Sequence, residues 1–173
     1  MSGTKGTGST RISSMSKMNR IKETLKIRIF GFAKIPLIWF VAPSVVEIGV
    51  DRTEIVIPLT RRTRNHLKSM YFGTLAIGAD LAGGVLFMNL MAEAGLKASF
   101  VFKDMSAQFL KRADGDVHFV SLSGKDVQAL IKRVAESPDR QEVPVVIHAT
   151  VPKKYGDEPV AVFKLTLSVK RSK

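Results

Sequence analysis

Asp80 stands inside the most apolar stretch of the chain, Met70 to Ala92, where Asn89 is the other strongly polar side chain. An ionised carboxylate in apolar surroundings is costly unless it is paired, solvated or given a task. Asp80 is therefore either a reacting carboxylate or an aspartate bonded to backbone or arginine at a subunit contact. Asn65 lies 15 positions upstream, and between the two Tyr71-Phe72-Gly73 opens the apolar stretch. If that stretch is helical, its first N–H groups and its positive dipole end converge there in a corner that stabilises anions. An ester or thioester carbonyl seated in the corner would have its developing oxyanion met by N–H donors. Asp80 would then activate water or attack directly.

Other groups with chemistry to offer are fewer. Arg61, Arg62 and Arg64, with Lys68, adjoin this corner and suit phosphate oxygens, as in coenzyme A; a solvated loop is the alternative. His66 abuts Asn65 and is a candidate contact for a substrate phosphate. His118 and His148 fall on strand patterns with no second ligand at metal spacing, so they read as structural and no metal site is expected. The chain has no cysteine, which excludes disulfides, thiolate nucleophiles and cysteine-ligated metals, and fits a reducing cytosol. It contains no Gly-x-Ser-x-Gly elbow, phosphate-binding loop or dinucleotide fingerprint.

The charge is uneven along the 173 residues. Lys and Arg number 27 against 15 acidic groups, a net of +12. Residues 1–34 hold eight of the basic residues against Glu23 alone, a net of +7, leaving +5 for the rest. Such charge suggests a polyanionic partner. Nucleic acid is not expected, because aromatic residues make up 8% of the chain and no recognition motif is present. Hydrophobic residues at 45% and charged residues at 24% indicate one globular domain with a core of ordinary size.

Several elements must position these groups. Residues 1–17 are Gly-, Ser- and Thr-rich and read as a disordered tail, a leader or a targeting segment. Residues 18–43 form an amphipathic helix and a connection. Met18, Ile21, Leu25, Ile29 and Phe32 share one helical face. That face either packs on its own domain or rests on an anionic membrane. Ser44 to Val50 and Thr53 to Leu59 read as a hairpin, and Met70 to Ala92 as a long buried helix. Gly73, Gly78, Gly83, Gly84 and Asp80 argue against a membrane span there. Strands follow over Ala98 to Leu110 and Asp116 to Leu122. A helix over Ser123 to Ser137 is capped by Ser123, and two strands, Val143 to Val151 and Pro159 to Lys170, close the chain. The class is α+β.

On these residues the sequence resembles the hotdog-fold acyl-CoA thioesterases, in particular the phenylacetyl-CoA-thioesterase-like branch and a related uncharacterised hotdog family. Asn65, Tyr71-Phe72-Gly73 and Asp80 fall at the spacings of that branch's Asn, His-Gly-Gly and Asp. Asp104 to Ala113 is similar to the family strand that ends in Phe-Leu-x-Pro-Ala, and Val160 to Lys170 to its closing strand. The resemblance implies a hotdog fold over residues 44–173, with an antiparallel sheet wrapped around a long central helix. It also implies a homodimer, or a dimer of dimers, with the site at the dimer interface. In that site Asp80 is base or nucleophile, Asn65 orients the carbonyl or the water, and the N–H groups of Phe72 and Gly73 form the oxyanion hole. Tyr71 replaces the motif's His, Phe72 its first Gly, and Arg112 a usual Pro. The implied activity is hydrolysis of an acyl-CoA-like thioester without cofactor, in the cytoplasm. A non-catalytic protein that binds acyl-CoA or lipid is the alternative.

Overall fold

A computed structural model describes residues 15–172, so most of the expected tail lies outside the described residues. The elements run α1 (Lys17–Lys34), α2 (Pro36–Val41), β1 (Ser44–Ile48), β2 (Thr53–Ile57), α3 (Phe72–Glu93) and β3 (Ala98–Phe109). They continue with β4 (Val117–Ser121), α4 (Gly124–Glu136), β5 (Gln141–Thr150), α5 (Pro152–Tyr155) and β6 (Pro159–Arg171). The six strands form one antiparallel sheet in the order β1-β2-β4-β5-β6-β3.

The apolar run forms α3 because 22 residues of mostly small and aliphatic side chains sustain a helix that sheet can cover on several sides. Leu75, Ala79, Ala82, Leu86, Phe87 and Leu90 are buried. They face Ile55, Phe119, Ile147, Phe163 and Leu165, which the alternation of β2, β4, β5 and β6 turns to the same side. The helix is long and apolar enough to cross a bilayer, but more than half of its most apolar window is buried in this core. A sheet wrapped around a central helix is the hotdog arrangement. α4 lies beside α3 and buries Val127, Leu130, Ile131 and Val134.

One expectation is corrected and one open alternative is decided. Ser123 does not cap α4: its hydroxyl accepts a hydrogen bond from the Val146 N–H (3.2 Å), tying the helix start to β5. Between β5 and β6, Pro152 starts the short helix α5 and Gly156 ends it at φ 59°. Most consequentially, the apolar face of α1 does not pack on the domain. Met18, Ile21, Leu25, Ile29 and Phe32 are 54–69% exposed. α1 is held instead by its other side. Arg28 donates to the carbonyls of Pro43 (2.9 Å) and Ala42 (3.2 Å), Thr24 Oγ1 accepts from the Val45 N–H (2.9 Å), and Gly31 is buried against α2.

The two sheet edges differ as a result. α1 is tied to the start of β1, whereas the 12-residue β3 pairs with β6 alone and leaves its outer edge open, with Val101, Met105 and Phe109 exposed. Long open edges invite pairing with another chain.

The structural reading of His118 is supported by its partner. Its Nδ1 lies 2.6 Å from Glu54 Oε1 on the neighbouring strand, and Arg52 donates to the same carboxylate. The His118 hydrogen bond, followed by Arg52, holds the Glu54 carboxyl below the usual glutamate range against the opposing effect of burial. A depressed carboxyl contributes stability above its unfolded pKa and loses it as pH falls through the folded value. Glu54→Gln is therefore expected to cost about 1–2 kcal/mol near neutral pH and progressively less in acid. Urea unfolding across pH measures this, and a gap as large at pH ~3 as at pH ~7 would contradict it.

Candidate active site

The connection from β2 to α3 folds back on itself before the helix begins. Thr63 Oγ1 donates to the Pro58 carbonyl (2.7 Å), the Tyr71 N–H donates to the Thr63 carbonyl (2.8 Å), and Arg64 bridges Met70. Asn65 organises the tip: its Oδ1 accepts from the N–H groups of Leu67 (2.9 Å) and Ser69 (3.2 Å) and from the Ser69 hydroxyl. The amide Nδ2 of Asn65 has no hydrogen bond among the described residues, so its two N–H donors are left for a bound carbonyl.

Tyr71 is the N-cap of α3 and makes no side-chain capping bond. The first intrahelical bond runs from the Leu75 N–H to the Tyr71 carbonyl (3.1 Å), which leaves the N–H groups of Phe72, Gly73 and Thr74 without intrahelical partners. With the helix dipole behind them, they form the anion corner anticipated from sequence. It opens into a cavity of 730 Å³ lined by Asn65, His66, Tyr71, Phe72 and Leu75 and, from the end of β3, Phe109. The Tyr71 ring lies over Gly73, where an added Cβ would meet it at 2.6 Å. Phe72 is 60% exposed, its ring tilted against that of Tyr71 with centroids 4.7 Å apart.

Asp80 lies elsewhere. Eight residues at 1.5 Å each put it about 12 Å along α3 from Phe72. It faces a second cavity, of 1040 Å³, between α1, α3 and β3. Asp80, Gly84 and Met88 run along one stripe of α3 there, opposite Ile27 and Phe30 of α1 and Phe102 of β3. Burial alone raises the carboxyl above the usual aspartate range. No hydrogen bond or ion pair to it is formed among the described residues. Of the expected site, Asn65, His66, Tyr71 and Phe72 are thus brought together with Gly73 beneath them, while Asp80 of the same chain is separate.

Arg61, Arg62, Arg64 and Lys68 do not line either cavity. Arg62 instead sits over the Phe40 ring of α2, 5.6 Å from its centroid. The cations lining the Asn65 cavity are Lys111 and Arg112. Lys111 pairs with Glu158, and Arg112 donates to the Leu67 carbonyl. Their sequence signal was a cation pair directly after the apolar end of a strand, with Arg112 standing where the resembling family has Pro.

A family profile, DUF4442, a domain of unknown function, matches residues 25–169. The chain belongs to this family. The DUF4442 match begins within α1, so it takes in part of the N-terminal helix as well as the sheet and α3. Among solved structures, similarity extends to a protein of unknown function from Pseudomonas aeruginosa, at 22% identity over 86% of this chain and 96% of that one, with a TM-score of 0.71. A thioesterase from Haemophilus influenzae is similar at 16% identity over 92% and 93% of the chains, TM-score 0.63. A thioesterase family protein from Silicibacter pomeroyi is similar at 18% over 86% and 99%, TM-score 0.61. No curated protein matches. At these identities the structural likeness establishes the hotdog fold.

Proposed function

We propose that the chain hydrolyses an acyl-CoA-like thioester at a site completed by a second copy of itself. The observation that carries this reading is the unpaired, half-buried carboxylate of Asp80, about 12 Å from the uncapped start of its own helix. Neither half reacts alone within one chain. A two-fold pairing along the open β3 edge brings the carboxylate of one copy toward the helix start of the other, since a two-fold interface presents the same surface from both sides. Exposed Val101, Met105 and Phe109 give that edge the apolar character an obligate interface needs.

In the completed site the thioester carbonyl lies against the N–H groups of Phe72 and Gly73 and the Asn65 amide, which stabilise the oxyanion as it forms. Asp80 from the other copy removes a proton from water; the water oxygen bonds to the carbonyl carbon, the carbon–sulfur bond breaks, and the thiolate takes the proton. Its raised pKa makes it a stronger base than an ordinary aspartate. Lys111 and Arg112 border the Asn65 cavity and offer cations for the coenzyme A phosphates. The thioesterase names carried by the Haemophilus and Silicibacter neighbours support the reaction class.

Thiol release from a panel of short, long and aromatic acyl-CoA esters tests the reading; turnover of at least one is expected. A second reading is favoured by the Tyr71 and Phe72 rings, which crowd the helix start: the thioester is bound there without being cut. Saturable binding by titration calorimetry with no thiol release from any panel member would establish that reading in place of hydrolysis.

A further inference from the structure

The outer face of α1 is apolar and exposed. Met18, Ile21, Leu25, Ile29 and Phe32 form an exposed apolar stripe along the helix. Leu37, Trp39 and Phe40 of α2, also exposed, extend it, joined through the edge-on contact of Phe32 with Trp39 at 5.8 Å. Eight large apolar side chains exposed on two adjoining helices mark an interaction surface rather than an ordinary soluble one. At 3.6 residues per turn, Lys17 falls on one border of the stripe and Lys22 and Lys26 on the other. Arg62 stands over Phe40 at the far side, so the Arg61 to Arg64 loop adds cations where α2 adds aromatics. Of the helix cations, Lys26 pairs with Glu23 (2.6 Å), while Lys17, Arg20, Lys22 and Lys34 make no ion pair among the described residues.

We infer that this face docks on an anionic lipid bilayer, lying in the plane of the headgroups. Charge selects this occupant. A second copy seated on the same face would oppose its own lysines with identical ones, which costs energy rather than gaining it. Residues 1–14 contain only Met1 and Ile12 as large apolar side chains, too few to cover eight. An anionic bilayer satisfies both parts at once: the acyl boundary takes the apolar stripe, headgroups take the flanking lysines, and tryptophan sits at the interface. The inner face of the same helix walls the Asp80 cavity through Ile27 and Phe30. Docking therefore brings that cavity to within about one helix diameter, ~10 Å, of the lipid. The inference does not rest on thioester hydrolysis, because its test reads binding alone.

The full chain is sedimented with vesicles containing phosphatidylglycerol and with pure phosphatidylcholine vesicles. Binding is expected to the anionic vesicles, to weaken at high salt, and to fall about tenfold or more in Ile29→Asp/Phe32→Asp. Lys17→Glu/Lys22→Glu should lower anionic binding by a similar order, since each lysine near an anionic surface adds to the attraction. All four positions are exposed, so melting temperatures should stay near wild type and separate lost docking from lost folding. Equal binding to both vesicle types, or binding unchanged in the apolar variant, would overturn the proposal. So would a smaller oligomer for Ile29→Asp/Phe32→Asp in lipid-free ultracentrifugation, which would assign the face to a second copy.

Discussion

Asp80→Asn is expected to remove thiol release from every acyl-CoA that the wild-type chain cleaves, lowering kcat/KM by about 10²–10⁴-fold, while the fold becomes more stable at neutral pH. The two effects share one cause. Burial without a partner raises the Asp80 carboxyl above the usual aspartate range. A group whose folded pKa is raised favours the fold below its unfolded pKa and loses that contribution as pH rises through the folded value. At pH 7 the carboxylate is therefore a standing cost, which the neutral amide removes. The gain in melting temperature should shrink as pH falls through the raised folded value toward the ordinary aspartate range, and be gone below it. An Asp80→Asn protein less stable than wild type at pH 7 would mean that the carboxylate is held by a structural partner. Activity of both copies can also be separated. Asp80→Asn and Asn65→Ala homodimers are each expected to be inactive. Mixed and re-equilibrated, they should recover about a quarter of wild-type activity, because half the dimers then carry one intact site of the two. No recovery would place Asp80 and Asn65 in the same chain's site, against the 12 Å spacing along α3.

The fold was legible where one physical signal dominated. The apolar run from Met70 could only be a buried helix or a membrane span, and its glycines and Asp80 decided between them. Alternation along Ala161, Phe163, Leu165, Leu167 and Val169 gave the buried face of β6, which the structure shows. The order of strands was not legible. β3 and β4 are neighbours in the chain but lie three strands apart, because β4 fills the gap between β2 and β5. α1 shows a different limit. Period reveals an apolar stripe but not whether anything covers it, and here Ile27 and Gly31 on the opposite side took the domain contact.

The site was legible in parts for similar reasons. Asn65 and Tyr71-Phe72 sit on a loop-to-helix junction, and both ends of that junction are fixed by local bonds, so closeness in sequence became closeness in space. The arginines did not follow. The bonds from Tyr71 to Thr63 and between Arg64 and Met70 double the loop back and leave Arg62 on the α2 side, over Phe40. The cations that do line the cavity arrive from the end of β3, more than 40 residues later in the chain, a proximity created by the sheet alone.

Where Asp80 emerges depends on how deeply α3 sinks into the sheet, and two glycines of α3 should respond to substitution with opposite sign. Gly78 meets β4 so closely that an added Cβ would stand 2.3–2.5 Å from three atoms of the Phe119 ring. Phe119 is fully buried, so the ring has nowhere to retreat. Gly84 faces Phe100 and Phe102 at 3.8–3.9 Å, an ordinary contact distance. Ala in place of Gly within a helix gains about 1 kcal/mol of propensity at either position. At Gly84 nothing opposes that gain, and Gly84→Ala is expected to stabilise by about 0.5–1 kcal/mol. At Gly78 overpacking opposes it with about 1–3 kcal/mol or more, and contacts this short place the cost at the upper end, for a net loss of about 2 kcal/mol. Gly78→Val, with two further methyl groups, should cost more. Urea unfolding of the three variants gives the comparison. Gly78→Ala as stable as wild type would mean that α3 rides higher over β4 than the 2.3–2.5 Å approach to Phe119 requires. Because Asp80 follows Gly78 by two residues, any shift that relieves the Phe119 clash lifts the carboxylate as well. Gly78→Ala should then lower kcat for thiol release even at temperatures where the variant remains folded, whereas Gly84→Ala, which moves nothing, should leave it near wild type.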